Sequence, residues 1–552
     1  MRLRQLLCLL AACVAAPLAV AAKQTVCTIT INSADEQKTF RRYLPADKYD
    51  FVELVERGRP DWLRSSCEAK VSCDVLIISG HHGEGSEGNV FFSEANEARE
   101  YLPIEELERV SCSDSCPSLF ANLKEVYLFG CNTLNVEPQH TVSAEITRSF
   151  VREGHAPMDA AQLAKRLGLQ RGESGRDRMR LVFPNVPVIY GFASVAPLGP
   201  VAAGLLNRYF QGAGAGEVGK GHTSGRLLSQ FSQHRLVATR GMATGDPLAG
   251  LRRDVCMLAD DRLSIAQRAD GIHQLLGGPT AQARLLIDRI EEFAETLAPE
   301  KRAQPEIAQA LERIAQDTQA RDRWLAFARD ADGWNTRARM INLSQQLGWL
   351  TPSQRRDELV AMTGDLLARK DIAATDVNLA CIVNKDHDLD GAADKLAQRA
   401  ARPDGTGHSA VLACMGSTDA RERVLRALVS PSESDVQIAQ AYLRNRPITD
   451  ASELRTVTQS IASMNAPEAQ ARALDVLARH YVSDRDSVAT LKQLYARTRS
   501  VPVQNAIAGV LIRADRKTIS ASDLLPTLRE HRLKAGRGDM VDALIERLQV
   551  SS

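Results

Sequence analysis

Two stretches decide the fold: Val75-Leu76-Ile77-Ile78-Ser79-Gly80-His81-His82-Gly83-Glu84-Gly85 and Glu125-Val126-Tyr127-Leu128-Phe129-Gly130-Cys131-Asn132-Thr133. Each holds a short, unbroken apolar run that reaches a glycine and then a reactive side chain. A strand with one wet face alternates apolar and polar residues, whereas a strand covered on both faces does not. Both runs therefore predict buried parallel strands. Residues 25–31 (TVCTITI) and 186–190 (VPVIY) predict two more. Helical stretches fall between them, at 104–110 (IEELERV) and 160–167. Strand, helix, strand at this spacing predicts a three-layer α/β domain with a mostly parallel sheet over residues 23–250.

From about residue 255 the character changes. Ala, Leu, Arg, Gln and Asp dominate with helical periodicity, as at Leu474, Leu477 and Tyr481. Breaks such as Ser430-Pro431-Ser432 and Ser500-Val501-Pro502 separate segments of ten to fifteen residues. The pattern predicts stacked helix pairs over residues 251–552, an all-α solenoid. Residues 501–512 (VPVQNAIAGVLI) resemble the second helix of a HEAT-type repeat.

Charge and composition narrow the function classes. Lys+Arg total 69 against 68 Asp+Glu in 552 residues, a net charge of +1, and aromatics are 5%. A dedicated nucleic-acid binder shows a basic excess or stacking rings, so none is expected. The start, Met1-Arg2-Leu3-Arg4, leads into an apolar stretch at 6–16 and then Ala19-Val20-Ala21. This predicts a signal peptide over residues 1–22 and a periplasmic or secreted protein. A lipobox-like Leu10-Ala11-Ala12-Cys13 is the alternative. No other segment is apolar for the length of a membrane helix, so no stable transmembrane span is expected.

The cysteines sharpen this. Of 11, Cys8 and Cys13 lie in the leader, which leaves nine, an odd number. An oxidising compartment pairs most of them and leaves at least one. Proximity in sequence predicts Cys67–Cys73 and Cys112–Cys116. Cys381 and Cys414, alone in the helical half, predict a third bridge, and Cys27–Cys256 a fourth. These pairings suppose that Cys131 is the thiol left over, as it would be if it were a nucleophile.

In parallel α/β sheets ligands bind at the carboxyl ends of the strands. Two neighbouring strands ending in His81 or His82 and in Cys131 would bring an imidazole and a thiol to one edge. Nucleophilic catalysis needs that pair: thiolate attack on a carbonyl, and an imidazole to shuttle the proton. Ser79-Gly80-His81 and Gly130-Cys131-Asn132-Thr133 resemble the caspase-like clan of cysteine peptidases, and its bacterial CHAT-type branch in particular. Ile189-Tyr190-Gly191-Phe192-Ala193-Ser194, followed by an amphipathic helix, resembles the next strand of that fold. The resemblance spans about residues 24–245 and implies Cys131 as nucleophile and a histidine as general acid/base. Counting from the strand selects His81, which is preferred; requiring glycine directly after selects His82. The backbone N–H that follows, of His82 or Gly83 respectively, would join that of Cys131 as oxyanion hole. The expected partner is a protein or peptide substrate, with a protein partner on the helical repeats. The contrasting reading is a catalytically inactive exported scaffold.

No cofactor or metal is expected. His81-His82-Gly83-Glu84 has no further converging ligands. Gly214 to Lys220 mimics a phosphate-loop core in a glycine-rich stretch (211–225) that reads as a mobile loop, but the required Ser/Thr is Gly221 and no strand precedes it. Asp386-His387-Asp388-Leu389-Asp390-Gly391 matches half a calcium loop, yet position twelve is Ala397.

Overall fold

The computed structural model describes residues 23–550, apart from 32, 55–62, 86–87, 94–100, 138–143, 172–173, 481, 516–517 and 534–537. The leader expected over residues 1–22, with Cys8 and Cys13, lies outside the described residues. The chain forms two compact units, residues 1–320 and 321–552.

The first unit is built on a six-stranded sheet. Its strands are β1 (Gln24–Thr30), β2 (Tyr49–Glu53), β3 (Val75–Ser79), β7 (Glu125–Phe129), β8 (Val188–Phe192) and β9 (Leu236–Thr239), in the order β2-β1-β3-β7-β8-β9. All pairs are parallel except β8–β9. The expectation of a mostly parallel sheet is met, and the strand chemistry explains it. Along β3, Val75 and Ile77 join one apolar cluster while Leu76 and Ile78 join the other. On β7, Tyr127 and Phe129 oppose Val126 and Leu128 in the same way. One cluster is closed by helices Asp35–Tyr43 and Gly199–Gln211 through Phe40, Leu206 and Phe210; the other by helices Ile104–Cys112 and Gly175–Val182 through Leu107, Val110, Met179 and Val182. With both faces covered, no polar alternation survives.

A second, three-stranded antiparallel sheet joins β4 (His81–Gly85), β5 (Gly88–Phe92) and β6 (Tyr101–Pro103). It starts directly from the carboxyl end of β3.

Helices begin at Ala249, near the expected change, but those through residue 316 belong to the first unit. Helix Ala249–Ala259 is bridged to helix Ile104–Cys112 by Cys112–Cys256. Arg252 donates to the backbone carbonyls of Leu181 and Ser111, and Arg289 pairs with Glu108 at 2.8 Å, both buried. These ties, which amphipathic periodicity cannot report, set the boundary at 320 instead of 250.

The second unit is all-helical. Helices Ala374–Val383, Glu433–Asn445, Pro467–Leu477, Val501–Leu511 and Met540–Val550 pack each on the next, and Thr418–Ala427, Ala451–Ala462, Arg485–Arg497 and Ala521–Glu530 form a second row. The breaks read from sequence are helix starts. Ser432, Asp450, Asp484 and Ser500 each accept a first-turn backbone N–H. Among the described residues, no helix is long and apolar enough to cross a membrane.

Four disulfides form, which fits an oxidising compartment: Cys27–Cys73, Cys67–Cys116, Cys112–Cys256 and Cys381–Cys414. Cys381–Cys414 is as expected. The pairings Cys67–Cys73, Cys112–Cys116 and Cys27–Cys256 are corrected. Partners follow which elements pack together. Cys27 on β1 faces the residue leading into the adjacent β3, and the cysteine of helix Arg64–Glu68 meets the turn after helix Ile104–Cys112. Among the described residues Cys131 is the free cysteine.

The glycine-rich stretch is corrected too: it is packed, not loose. Val218 is fully buried, and the N–H groups of Gly219, Lys220 and Gly221 donate to the Glu125 carboxylate at 2.9, 3.0 and 2.9 Å. The phosphate-loop mimic thus holds a carboxylate of its own chain, which Tyr127 also contacts at 2.7 Å. In the calcium-loop mimic, Asp388 pairs with Arg355 and Asp390 with His387 and Asn384, so two of its three acids are engaged by side chains.

Candidate active site

Register puts the reactive residues level with each other. Ser79 pairs with Phe129, the last residues of β3 and β7, so His81 and Cys131 each lie two residues past a shared edge. Gly80 N–H donates to the Phe129 carbonyl at 3.3 Å and continues the pairing one step. Beyond it the chains part. The first turns into β4 and the second into a tight turn.

That turn is rigidly made. Asn132 adopts a left-handed φ of 56°, which an asparagine tolerates better than most residues. Its N–H donates to the Ser194 carbonyl at 2.9 Å, and Leu134 N–H to Phe192 O at 3.0 Å. Buried Thr133 donates to the Gly130 carbonyl at 3.2 Å and accepts from Phe192 N–H at 3.1 Å. The Cys131 loop is thereby stitched to the end of β8. Gly130 has no room for a side chain: a Cβ there would sit 2.7 Å from the His82 Cβ. The half-buried Cys131 sulfur accepts the Ala196 N–H at 3.3 Å, which fixes its position.

The two histidines point into different surroundings because successive strand residues face opposite ways. His81 lines a cleft with Cys131, Ser79, Glu36 and Ala196 at the carboxyl edge of β1, β3, β7 and β8. His82 is buried against Phe91, with ring centroids 4.9 Å apart, and its Nδ1 lies 2.8 Å from the Cys131 carbonyl. A carbonyl only accepts, so Nδ1 carries the hydrogen. Burial pushes the His82 pKa down to about 4, against the pull of that carbonyl and with help from Arg178. The ring is therefore neutral at ordinary pH and committed to holding the backbone of Cys131. Of the two histidines open on sequence, the one brought to the thiol's cleft is His81.

The expected oxyanion donors are the N–H groups of Cys131 and of His82 or Gly83. The Cys131 N–H donates no hydrogen bond to the described residues. The cleft is small, with about 30 Å³ of space, enough to admit water. Among the described residues no three His, Cys, Asp or Glu side chains group as a metal site.

Glu36 is the residue that sequence reading missed. It sits in the first turn of helix Asp35–Tyr43, directly after β1, and is 3% exposed. Its Oε2 has no hydrogen-bond partner among the described residues. Burial raises its pKa to about 7; the helix's own N–H and Ser79 oppose this, and Asp35 adds to it. The rule that found His81 and Cys131, a reactive residue two positions past a parallel strand, does not reach Glu36, which lies within the helix that follows β1.

No family model, curated protein or solved structure matches this chain.

Proposed function

We propose that the protein is an exported cysteine endopeptidase whose first unit is caspase-like, of the CHAT type, and whose helical unit is a HEAT-like platform that recruits substrate or a partner protein. The observation that carries this reading is the pairing of an unbridged thiol with an imidazole on one cleft, in a chain whose eight other described cysteines are bridged. In an oxidising compartment a thiol without a partner is exceptional unless its reactivity is used.

The chemistry follows from the roles. His81 takes the thiol proton, and the sulfur attacks the peptide carbonyl. The resulting oxyanion is held by the Cys131 N–H together with that of His82 or Gly83. His81 returns the proton to the leaving amine, and water hydrolyses the thioester. His82 acts through structure, as a strut under the Cys131 carbonyl. This division supports the strand count over the His-Gly rule.

Cys131→Ala should lower kcat/KM on a peptide library by about 10³-fold or more, as loss of a nucleophile does. Unchanged hydrolysis in that variant would remove the mechanism. One observation favours the second reading, an inactive exported scaffold: the cleft is only about 30 Å³. Labelling of the intact protein separates the two, since an enzyme's Cys131 reacts quickly with a small alkylating reagent and a scaffold's does not.

A further inference from the structure

Resting on the peptidase reading above, we infer that the substrate carries a large apolar side chain, aromatic above all, beside the scissile bond, and that Phe92 and Tyr101 receive it. The two rings stand in one row with His81. In an antiparallel pair, residues directly opposite each other present their side chains on the same face. His81 is opposite Phe92, and Phe92 is opposite Tyr101, across β4, β5 and β6. The ring centroids of His81 and Phe92 are 5.5 Å apart. His81 lines the cleft that holds Cys131, so the row runs from that cleft across the small sheet.

Three observations converge. First, the two faces of the small sheet differ. The row on the opposite face, His82, Phe91 and Leu102, is buried throughout, whereas Phe92 and Tyr101 are 37% and 39% exposed. Where their face meets water it carries two rings, instead of the polar side chains usual on the wet side of an antiparallel sheet. Second, this exposure is confined to the row at the cleft: Val90, which shares the face of Phe92 two residues earlier, is buried. Third, the other border of the cleft is apolar as well. Leu198 lines the cleft and is 62% exposed, and Val195 and Val201, three residues to either side, are also exposed. That segment follows β8 and His81 follows β3, while β7, which leads to Cys131, lies between those strands. Among the described residues, most of the large apolar side chains exposed in the first unit belong to these two borders. Clustered apolar exposure of this kind marks a surface that a ligand covers. An extended peptide laid across the strand ends past Cys131 meets apolar side chains on both sides of the bond to be cut. A substrate ring adds offset or edge-to-face packing on Phe92 and Tyr101, which an aliphatic side chain lacks.

Two fluorescein-labelled decapeptide pools test this on the full chain. One has a central Phe and the other a central Ala, and both are random over Gly, Ser, Asn, Asp, Lys and Arg elsewhere. The Phe pool should be cleaved with a kcat/KM about tenfold higher, the worth of one aromatic contact. Tyr101→Thr, which keeps a strand-forming residue, should remove most of that advantage and leave the Ala pool unchanged. Met158→Gln, at an exposed position on helix Pro157–Arg171 that does not line the cleft, should change neither. Fluorescence anisotropy of both pools with the Cys131→Ala chain separates this inference from the reading beneath it. Tighter binding of the Phe pool, lost in Tyr101→Thr, upholds the subsite even if the unmodified chain cleaves nothing, and then only the peptidase reading falls. Equal cleavage and equal binding of the two pools overturn the subsite and leave the peptidase reading standing. A dimer in sedimentation that Tyr101→Thr dissociates would mean that a second copy covers the rings, and would overturn the inference.

Discussion

The first unit is held by links between distant parts of the chain, the second by links between neighbours. In the first, disulfides span 46, 49 and 144 residues, and strands adjacent in the sheet come from residues 24 to 239. In the second, the single bridge among the described residues spans 33 residues, and each helix packs on one or two positions away in the same rows. The contrast teaches where precision is needed. The thiol and the imidazole that line one cleft follow separate strands, so their placement rests on non-local constraints. A stack of helices can be assembled pair by pair, as a roughly one-dimensional array.

Removing bridges should expose that difference most strongly. A crosslink stabilises by restricting the unfolded chain, more so for longer loops. Loss of Cys112–Cys256 by double alanine substitution should cost about 5 kcal/mol. Loss of Cys381–Cys414 should cost about 4 kcal/mol, and only in the unfolding of the helical unit. Urea denaturation of the full chain, followed by limited proteolysis to see which unit opens first, checks both. An equal or larger loss from the Cys381–Cys414 pair would erase the distinction.

Sequence legibility followed the same division between local and distant. Strands β1, β3, β7 and β8 were readable because burial on both faces leaves continuous apolar runs. β2 (YDFVE) and the four-residue β9 were not, since edge strands carry polar residues and little apolar signal. β4 and β5 were hidden by glycines, which weaken any strand pattern, and β6 by its three-residue length and its proline. Helices between 249 and 316 show the same amphipathic signal whichever unit they cover, so the boundary was out of reach. At the site, Cys131 and His81 were legible from their place just past a strand. Glu36 was not, because an acidic residue in a helix's first turn is ordinary there and looks like a surface charge favoured by the helix dipole. Only the packing of neighbouring strand ends reveals that it is buried. The disulfide partners were hidden for the reason already given: three of the four bridges depend on tertiary neighbours.

The smallest expected effect sharpens the comparison within the first unit, where two buried groups by the cleft respond to pH in opposite senses. Glu36 has its pKa raised from the usual 4.5 to about 7, so between those values the folded state binds the extra proton. Its contribution is full below pH 4.5 and is lost as pH rises to 7. His82 has its pKa lowered from 6.5 to about 4, so there the unfolded state binds the extra proton. Its contribution is full above pH 6.5 and is lost as pH falls to 4. The slopes nearly cancel between pH 4.5 and 6.5, each amounting to about 2–3 kcal/mol across that window. Relative to the unmodified protein, Glu36→Gln should therefore make the unfolding free energy rise more steeply with pH there, and His82→Gln make it fall more steeply, the glutamine still able to donate toward the Cys131 carbonyl. Urea unfolding at pH 4.5, 5.5 and 6.5 measures both slopes. Two variants whose slopes change in the same direction from that of the unmodified protein would mean that one of these side chains is not shielded from water, and the strut role of His82 or the burial of Glu36 would have to be given up.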